Sequence, residues 1–318
     1  MSYNLILNNT NAVGIYNTQF KYNFISGSFT INEDSQICIS QIVLPYSFFN
    51  VNKTLYNNAS LQYVWYYGAG LSKTYTVDIK NGFFSVSDLS NYLQQYMISQ
   101  NQYFQNVNTG ENEYFISIST NSTYYTNQIV CNSIPSTIPS GFIAPSEGFN
   151  YNNGTNYGFP TSGYNYTPQV IITNNNFGTL IGFSSGTYPS VSTQSSNSNL
   201  GNITPNLTTV NSIVVLCDLV KNECASPTNI MDSMTISNVS FGSNIIYQPT
   251  YEKWVSIQAG TYQNMNIQFV DQNFNTIIAN DNNVMISLLL KQGENKVLPV
   301  EQTNPIEEVA VKPISFID

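Results

Sequence analysis

The chain lacks histidine and arginine altogether, and its nine basic residues are all lysine. Without histidine, a serine or cysteine nucleophile has no imidazole base to activate it, and the commonest zinc sites lose a ligand. Without arginine, there is no guanidinium group to grip a phosphate in two places. The sequence also has no phosphate-cradling glycine loop and no nucleophile-elbow motif. We therefore predict that the chain is not an enzyme and that it has no cofactor and no catalytic, cofactor-binding or metal-binding residues.

Charged residues are scarce, at 8% of the 318 residues, against about a quarter in an ordinary soluble chain. The 18 acidic residues give a formal net charge of −9, and the lysines are scattered along the chain. A nucleic-acid surface and a polybasic membrane contact both need clustered basic residues. No apolar run is long enough to cross a bilayer, and no signal peptide is visible. We expect neither direct nucleic-acid binding nor membrane insertion.

The four cysteines are isolated from one another in sequence, at Cys38, Cys131, Cys217 and Cys224. No C-x-x-C pair is present, so the spacing favours neither a zinc site nor a redox motif. We predict that they are small buried residues with free thiols, in keeping with synthesis in the cytosol.

Two pairs of carboxylates are nominal candidates for acid–base chemistry, because glycoside hydrolysis needs no histidine. Glu111 and Glu113 form one pair, and Asp271 and Asp281 form the other. The two glutamates lie in a polar turn, where solvated side chains are the simpler interpretation. Asp271 follows an apolar strand, where an aspartate commonly bonds the backbone of a turn.

Two further segments could hold a ligand. Residues Asn280–Asn283 offer the oxygen ligands that Ca²⁺ prefers, but without the spacing of an EF-hand. The aromatic run Trp65–Tyr67 could stack on a sugar, but strand alternation places one of its faces in the core, so packing is favoured.

Strand signals dominate the chain, because short apolar and β-branched runs alternate with turn residues. The predicted strands are Phe20–Ile25, Phe29–Ile31, Ile37–Leu44, Leu61–Tyr67, Lys73–Lys80, Tyr114–Ser119, Gln128–Cys131, Gln169–Thr173, Thr179–Phe183, Ser212–Leu219, Met234–Val239, Trp254–Gln258, Met265–Val270 and Val284–Lys291. One helix is predicted over residues 88–100, with Ser87 or Asp88 as its cap and an apolar stripe from Leu89 to Met97.

Two stretches break the strand pattern. Residues 132–168 are rich in Gly, Pro, Ser, Asn and Tyr, which predicts a loop-rich insertion. The C-terminal residues have prolines and adjacent glutamates and predict an extended arm. We therefore expect a jelly-roll domain from residues 1–131 and 169–292, an insertion at 132–168, and an arm at 293–318.

The segment Cys38–Asn52 is the most informative part of the chain. An apolar strand runs to Leu44, and Pro45 ends it because proline has no N–H for the ladder. The aromatic residues that follow predict a packed corner. In the strand, Ile37, Ile39 and Val43 are expected on one face, and the apolar residues on both faces predict that both are covered.

The same segment resembles the penton (minor capsid) proteins of virophages and polinton-like viruses, in which an "ISQI-x-LPYS-aromatic-FN" run recurs near the N-terminus. Three further blocks resemble the family in the family's order, and they bracket most of the chain. They are Leu180–Ser190, Ser212–Asn222, and Trp254–Asn273 with the strand Val284–Leu290.

The resemblance implies an all-β fold, a single jelly-roll sandwich with one short helix and the loop-rich insertion. It also implies a structural virion protein: a homopentamer at the vertices of an icosahedral capsid, in contact with capsomers of the major capsid protein. Such a protein is made in the host cytoplasm or a viral factory. The alternative is a viral glycan-binding or host-attachment protein, a fibre or spike, and the third interpretation is a β-sandwich glycosidase. Interface residues are not identified by the sequence.

Overall fold

The computed structural model describes residues 2–68, 71–149 and 166–294. Within these ranges the chain forms 21 strands, two α-helices and two short 3-10 helices, so the predicted all-β class is confirmed. The α-helices are α1 (Val86–Ser99) and α2 (Asn175–Ile181), and the 3-10 helices are Asn9–Asn11 and Ser122–Tyr124. In chain order the strands are β1 (Ser2–Asn8), β2 (Gln19–Asn23), β3 (Phe29–Ile31), β4 (Gln36–Pro45), β5 (Ser60–Gly68), β6 (Leu71–Asp78), β7 (Tyr103–Asn106), β8 (Asn112–Tyr114), β9 (Ile116–Asn121), β10 (Thr126–Cys131), β11 (Phe142–Ile143), β12 (Gln169–Ile172), β13 (Gly186–Tyr188), β14 (Asn197–Leu200), β15 (Ser212–Cys217), β16 (Ile230–Thr235), β17 (Asn244–Tyr247), β18 (Val255–Ser256), β19 (Gly260–Tyr262), β20 (Asn264–Asp271) and β21 (Met285–Lys291).

Eight of these strands form a jelly roll from the two ends of the described chain. The first sheet has the order β1-β21-β4-β17, with β18 also pairing with β4, and the second has the order β16-β15-β20-β2. When these eight strands are renumbered one to eight in chain order, the first sheet has the order 1-8-3-6 and the second has the order 5-4-7-2. This is the strand order of a jelly roll. The inner faces share one apolar cluster, to which the first sheet contributes Leu7 and Ile39 and the second contributes Phe20, Ile213 and Phe269.

The described residues between β4 and β15, which lie within numbers 46–211, form an inserted unit with an apolar cluster of its own. Trp65, Leu93, Ile129 and Phe177 are among its fully buried side chains. Its strands form three small sheets of order β13-β12-β5-β6, β14-β10-β9 and β11-β7-β8. The jelly roll and the inserted unit therefore each enclose a core.

This division differs from the one predicted, in which residues 1–131 and 169–292 form the jelly roll. Strands such as β5, β6 and β10 have the same apolar alternation as jelly-roll strands, but they pair only with one another and with other strands of the inserted unit. Periodicity reports which face of a strand is buried, and it does not report the strand's partner. Of the predicted insertion at 132–168, residues 150–165 lie outside the described residues, as do residues 295–318 of the predicted arm.

Strand β4 contains a bulge that changes which side chains face the core. Leu288 lies opposite Ile39 and Ser287 lies opposite Gln41, so Ser40 has no residue opposite it. The extra residue moves the following side chains to the other face. Ile37 and Ile39 before the bulge and Ile42 and Leu44 after it all join the core cluster. The prediction that Val43 shares a face with Ile39 is therefore wrong.

Helix α1 lies close to its predicted position, but its cap is Ser85. The Ser85 hydroxyl accepts a hydrogen bond from the Asp88 N–H (3.1 Å), and the Asp88 carboxylate accepts one from the Ser85 N–H (2.9 Å). This reciprocal pair is a capping box. The helix packs against β9, where the Ser90 hydroxyl accepts a hydrogen bond from the main-chain N–H of Ile118 (3.0 Å).

Helix α2 replaces most of the strand predicted at Thr179–Phe183. Asn174 caps the helix, because its side chain accepts a hydrogen bond from the Asn176 N–H (2.9 Å). Gly182, with φ of 87°, ends it in the left-handed conformation that favours glycine. Both the capping asparagine and the terminal glycine are visible in the sequence. The apolar run between them, however, is too short to distinguish a helix from a buried strand.

Candidate functional site

The chain passes between the jelly roll and the inserted unit twice, and we call these two crossings the neck: residues 46–52 leave the jelly roll and residues 204–211 return to it. Tyr46 directly follows β4 and contacts the rings of Phe48, Phe83 and Phe241. Phe83 belongs to the inserted unit, and Phe241 belongs to the loop between β16 and β17. The predicted aromatic corner is thus confirmed, and it joins the two units.

Asn50 holds the two crossings of the neck together. Its side chain is 1% exposed and donates hydrogen bonds to the main-chain oxygens of Phe84 (2.8 Å) and Leu207 (2.9 Å). The same side chain accepts a hydrogen bond from the Phe84 N–H (2.8 Å), and the main-chain oxygen of Asn50 accepts one from Asn58 (2.8 Å). A buried amide with all these partners satisfied rigidifies the segments that it joins.

Asn50 is not singled out by sequence reasoning, although it lies in the run on which the family resemblance rests. The available signal is a polar residue between the buried side chains of Phe48 and Val51. A polar group in such a position needs hydrogen-bond partners, but the pattern does not say which.

Of the candidate sugar-stacking run, Trp65 lies inside the protein and the two tyrosines are half-buried. Trp65 has no exposed surface and packs edge-on against Phe115, with ring centroids 5.5 Å apart. The hydroxyl of Tyr66 donates a hydrogen bond to the side chain of Gln169. Packing is therefore the role of Trp65, as the alternation of the strand predicts.

The candidate carboxylates either accept hydrogen bonds within turns or are exposed to solvent. Asp271 accepts hydrogen bonds from the main-chain N–H groups of Asn273 and Asn275 (both 2.8 Å), and Asp281 accepts one from that of Asn283 (2.9 Å). Glu111 and Glu113 are exposed on the inserted unit. Among the residues that the structure describes, no three His, Cys, Asp or Glu side chains come together as metal ligands would.

Three of the four cysteines are buried, and all four are free thiols. Burial raises the pKa of the Cys38 thiol to about 11 and those of Cys131 and Cys217 to about 12. These three fit the predicted role of small buried residues. Cys224 is exposed, so the prediction is wrong for that residue.

The outer face of the first sheet presents an apolar row. Ile246 lies opposite Val43, and Val43 lies opposite Met285; Ile6 lies on the neighbouring strand β1. Residues opposite one another in an antiparallel pair project from the same face. Ile246 is 65% exposed, Ile6 is 54% exposed and Met285 is 36% exposed. We call Ile6, Val43, Ile246 and Met285 the outer row.

In the part of the chain that the structure describes, no helix combines the length and the apolar composition needed to span a membrane.

Comparison with known proteins gives structural neighbours only. No family model matches the chain, and no curated protein matches it. The chain is similar to a crystal structure of selenomethionine-labelled mavirus penton protein, with a TM-score of 0.41 and 10% identity over 92% of this chain and 99% of that one. It is also similar to the 3.5 Å cryo-EM structure of the Sputnik virophage, with a TM-score of 0.36 and 10% identity over 92% of this chain and 97% of that one. A penton protein and a virophage are thus among the structural neighbours.

Proposed function

We propose that the chain is a structural virion protein: a penton, or minor capsid, subunit. In this proposal it forms homopentamers at the vertices of an icosahedral capsid and contacts capsomers of the major capsid protein. The observation that carries the proposal is where the family-like blocks fall. Three of the four cover the central strands of both jelly-roll sheets and one crossing of the neck, and the block Leu180–Ser190 lies in the inserted unit.

The first block covers most of β4 and continues through Asn50 of the neck, and the third covers β15. The last block covers β18 to β20 and ends in β21. Strands β4 and β21 are the central strands of the first sheet, and β15 and β20 are those of the second. The remaining block, Leu180–Ser190, spans the end of α2 and β13 in the inserted unit. The resemblance therefore extends over the framework of the sandwich and into the inserted unit, which is more than a single local motif covers.

The outer row supports contact between subunits. Large apolar side chains exposed side by side on a sheet commonly mark a surface that binds another protein. A contact between two different faces of identical subunits closes into a ring when its rotation divides the circle evenly. We propose that the outer row lies in this contact between neighbouring subunits.

Native mass spectrometry and negative-stain electron microscopy of the purified full-length chain test the assembly. We expect five-fold rings with five times the mass of one chain. A stable trimer would instead favour the fibre or spike alternative, and a chain that stays monomeric at high concentration would contradict the proposal.

A matched pair of variants tests the role of the outer row. Ile246→Asp should abolish the rings and leave a folded monomer, because a charge in a dry contact has no partner. Val191→Asp makes the same kind of change at a 69% exposed site of the inserted unit and should leave the rings intact. Rings formed by Ile246→Asp would exclude the outer row from the contact without contradicting the pentamer.

Placement in the capsid is tested by producing the chain together with the major capsid protein of the same virus. Electron microscopy should show density for the ring at the five-fold vertices, and particles made without the chain should lack it. Particles whose vertices are identical with and without the chain would contradict a penton.

A further inference from the structure

A cleft of about 790 Å³ lies on the inserted unit where the turn between β9 and β10 faces the returning crossing of the neck. Most of the residues that line it have hydroxyl or amide side chains, among them Ser122, Asn127, Asn206 and Thr208, and Tyr125 also lines it. None of the lining residues carries a formal charge. The volume lies within the roughly 300–1,000 Å³ typical of ligand sites.

Tyr125 has an unusual backbone conformation. Its φ of 50° and ψ of 44° are in the left-handed region, which a bulky side chain seldom adopts. Five of the seven described non-glycine residues with positive φ are Asn or Asp, and the other two are Tyr125 and Phe274. Tyr125 is also 78% exposed, so no packing of its ring explains why a tyrosine stands there. Strained residues of this kind cluster at functional sites.

Hydrogen bonds hold both walls of the cleft in place. On one wall, the Asn127 side chain donates to the main-chain oxygen of Ile181 (2.9 Å). On the other, the Asn206 N–H donates to the Thr179 oxygen (3.0 Å). The Gln272 side chain of the jelly roll also donates to the main-chain oxygen of Thr209 (3.0 Å). A preformed cleft loses little conformational entropy when it binds a ligand.

We propose that this cleft binds a neutral oligosaccharide. The exposed ring of Tyr125 offers a flat apolar surface for the C–H face of a sugar ring, in the way that aromatic side chains combine an apolar body with a polar tip. The surrounding hydroxyl and amide groups can both donate hydrogen bonds to sugar hydroxyls and accept them. The site would give the protein a role in attachment to a glycan-bearing surface, whether or not the chain is a penton.

The absence of charged residues in the lining favours neutral sugars over acidic ones. An acidic sugar would bring a carboxylate into a cleft without a cation, on a chain with a net charge of −9. A charge that loses water without gaining a partner is costly. Nucleic acid is disfavoured for the same reason, because its phosphates need basic partners.

The test uses the full-length chain on an array of neutral and sialylated oligosaccharides, followed by titration of the best neutral ligand. We expect binding to neutral members and weaker or no binding to their sialylated counterparts. Tyr125→Asn removes the ring but keeps a residue that tolerates the left-handed backbone, so it should weaken binding roughly five- to tenfold without loss of folding. Tyr125→Phe should bind nearly as the parent does.

Tyr251→Ala is the matched control, because Tyr251 is an 82% exposed tyrosine on the jelly roll. It should leave binding unchanged. The proposal is overturned if no neutral oligosaccharide on the array binds, if sialylated members bind more tightly than neutral ones, or if Tyr125→Asn binds as well as the parent.

Discussion

Phe83 of the inserted unit and Phe241 of the jelly roll stack with their ring centroids 4.8 Å apart and their planes 8° from parallel. Such a pair contributes about 0.5–1.5 kcal/mol beyond the area that it buries. Phe83→Leu and Phe241→Leu, made singly and together, should therefore show a coupling energy of that size in urea unfolding. Additive effects of the two substitutions would show that the stack does not couple the units.

Substitution of Asn50 should lower the free energy of unfolding by more than the small size of its side chain suggests. Asn50→Leu leaves the Phe84 N–H and O and the Leu207 O without partners in a partly buried place. Each unpaired group costs about 1–3 kcal/mol, so the free energy of unfolding should fall by several kcal/mol. Asn273→Ala, at an exposed position, should change it by less than about 0.5 kcal/mol. Equal effects of the two variants in urea unfolding would contradict this role of Asn50.

A charge at Ile39 should prevent folding. Ile39 is 2% exposed, inside the cluster shared by both sheets. An unpaired buried carboxylate costs several kcal/mol, a large part of the roughly 5–15 kcal/mol that stabilises a domain. We expect Ile39→Asp to be insoluble, whereas Ile15→Asp, at an 80% exposed position, should be soluble and folded. Soluble Ile39→Asp with the parent's circular dichroism would disprove this placement of β4.

The capping box of α1 should make a small contribution to the free energy of unfolding, and this contribution should depend on pH. Hydrogen bonds from the Ser85 hydroxyl and then from the Ser85 N–H lower the pKa of Asp88 below its usual 3.8. A lowered carboxylate pKa stabilises the fold above the unfolded value, and this stabilisation is lost as the pH falls through the folded value. Because Asp88 is exposed, we expect Asp88→Ala to cost only about 0.5 kcal/mol at pH 7.

That difference between the parent and Asp88→Ala should disappear at a pH well below 3.8. Urea unfolding of both proteins over this pH range measures it. A difference that grows as the pH falls would show that the Asp88 pKa is raised by folding and not lowered.

Thiol labelling should separate Cys224 from the other cysteines. Cys38, Cys131 and Cys217 are buried, and their raised pKa values of about 11, 12 and 12 keep them protonated at neutral pH. The thiolate is the reactive form, so a chromogenic disulfide reagent should modify one thiol quickly in the native protein and four after denaturation. Cys224→Ser should remove the fast phase, and rapid labelling that persists in this variant would show that a buried cysteine is accessible.

The sequence predicts most strands of the jelly roll because their apolar residues alternate, and β4, β15, β20 and β21 all lie near their predicted places. Strand β1 is not predicted, since Leu5 and Leu7 are its only buried side chains. The boundary of the inserted unit is not predicted either, because the alternation of apolar residues identifies the buried face of a strand but not the strand with which it pairs. Tyr125 cannot be found from the sequence, because nothing in its neighbourhood marks a left-handed backbone.

The position of the inserted unit has a consequence for the order of events during synthesis. Each of the first three jelly-roll strands, β1, β2 and β4, finds its strand partners only beyond residue 243, and Ser2 pairs with Lys291. The three sheets of the inserted unit use strands between residues 60 and 200 only. Local pairings form sooner than distant ones, and a growing chain folds its completed segments first. The inserted unit can therefore fold on the ribosome before the second half of the sandwich has been synthesised. Once folded, it holds the ends of β4 and β15 at the neck, where the strands that are synthesised later can pair with them.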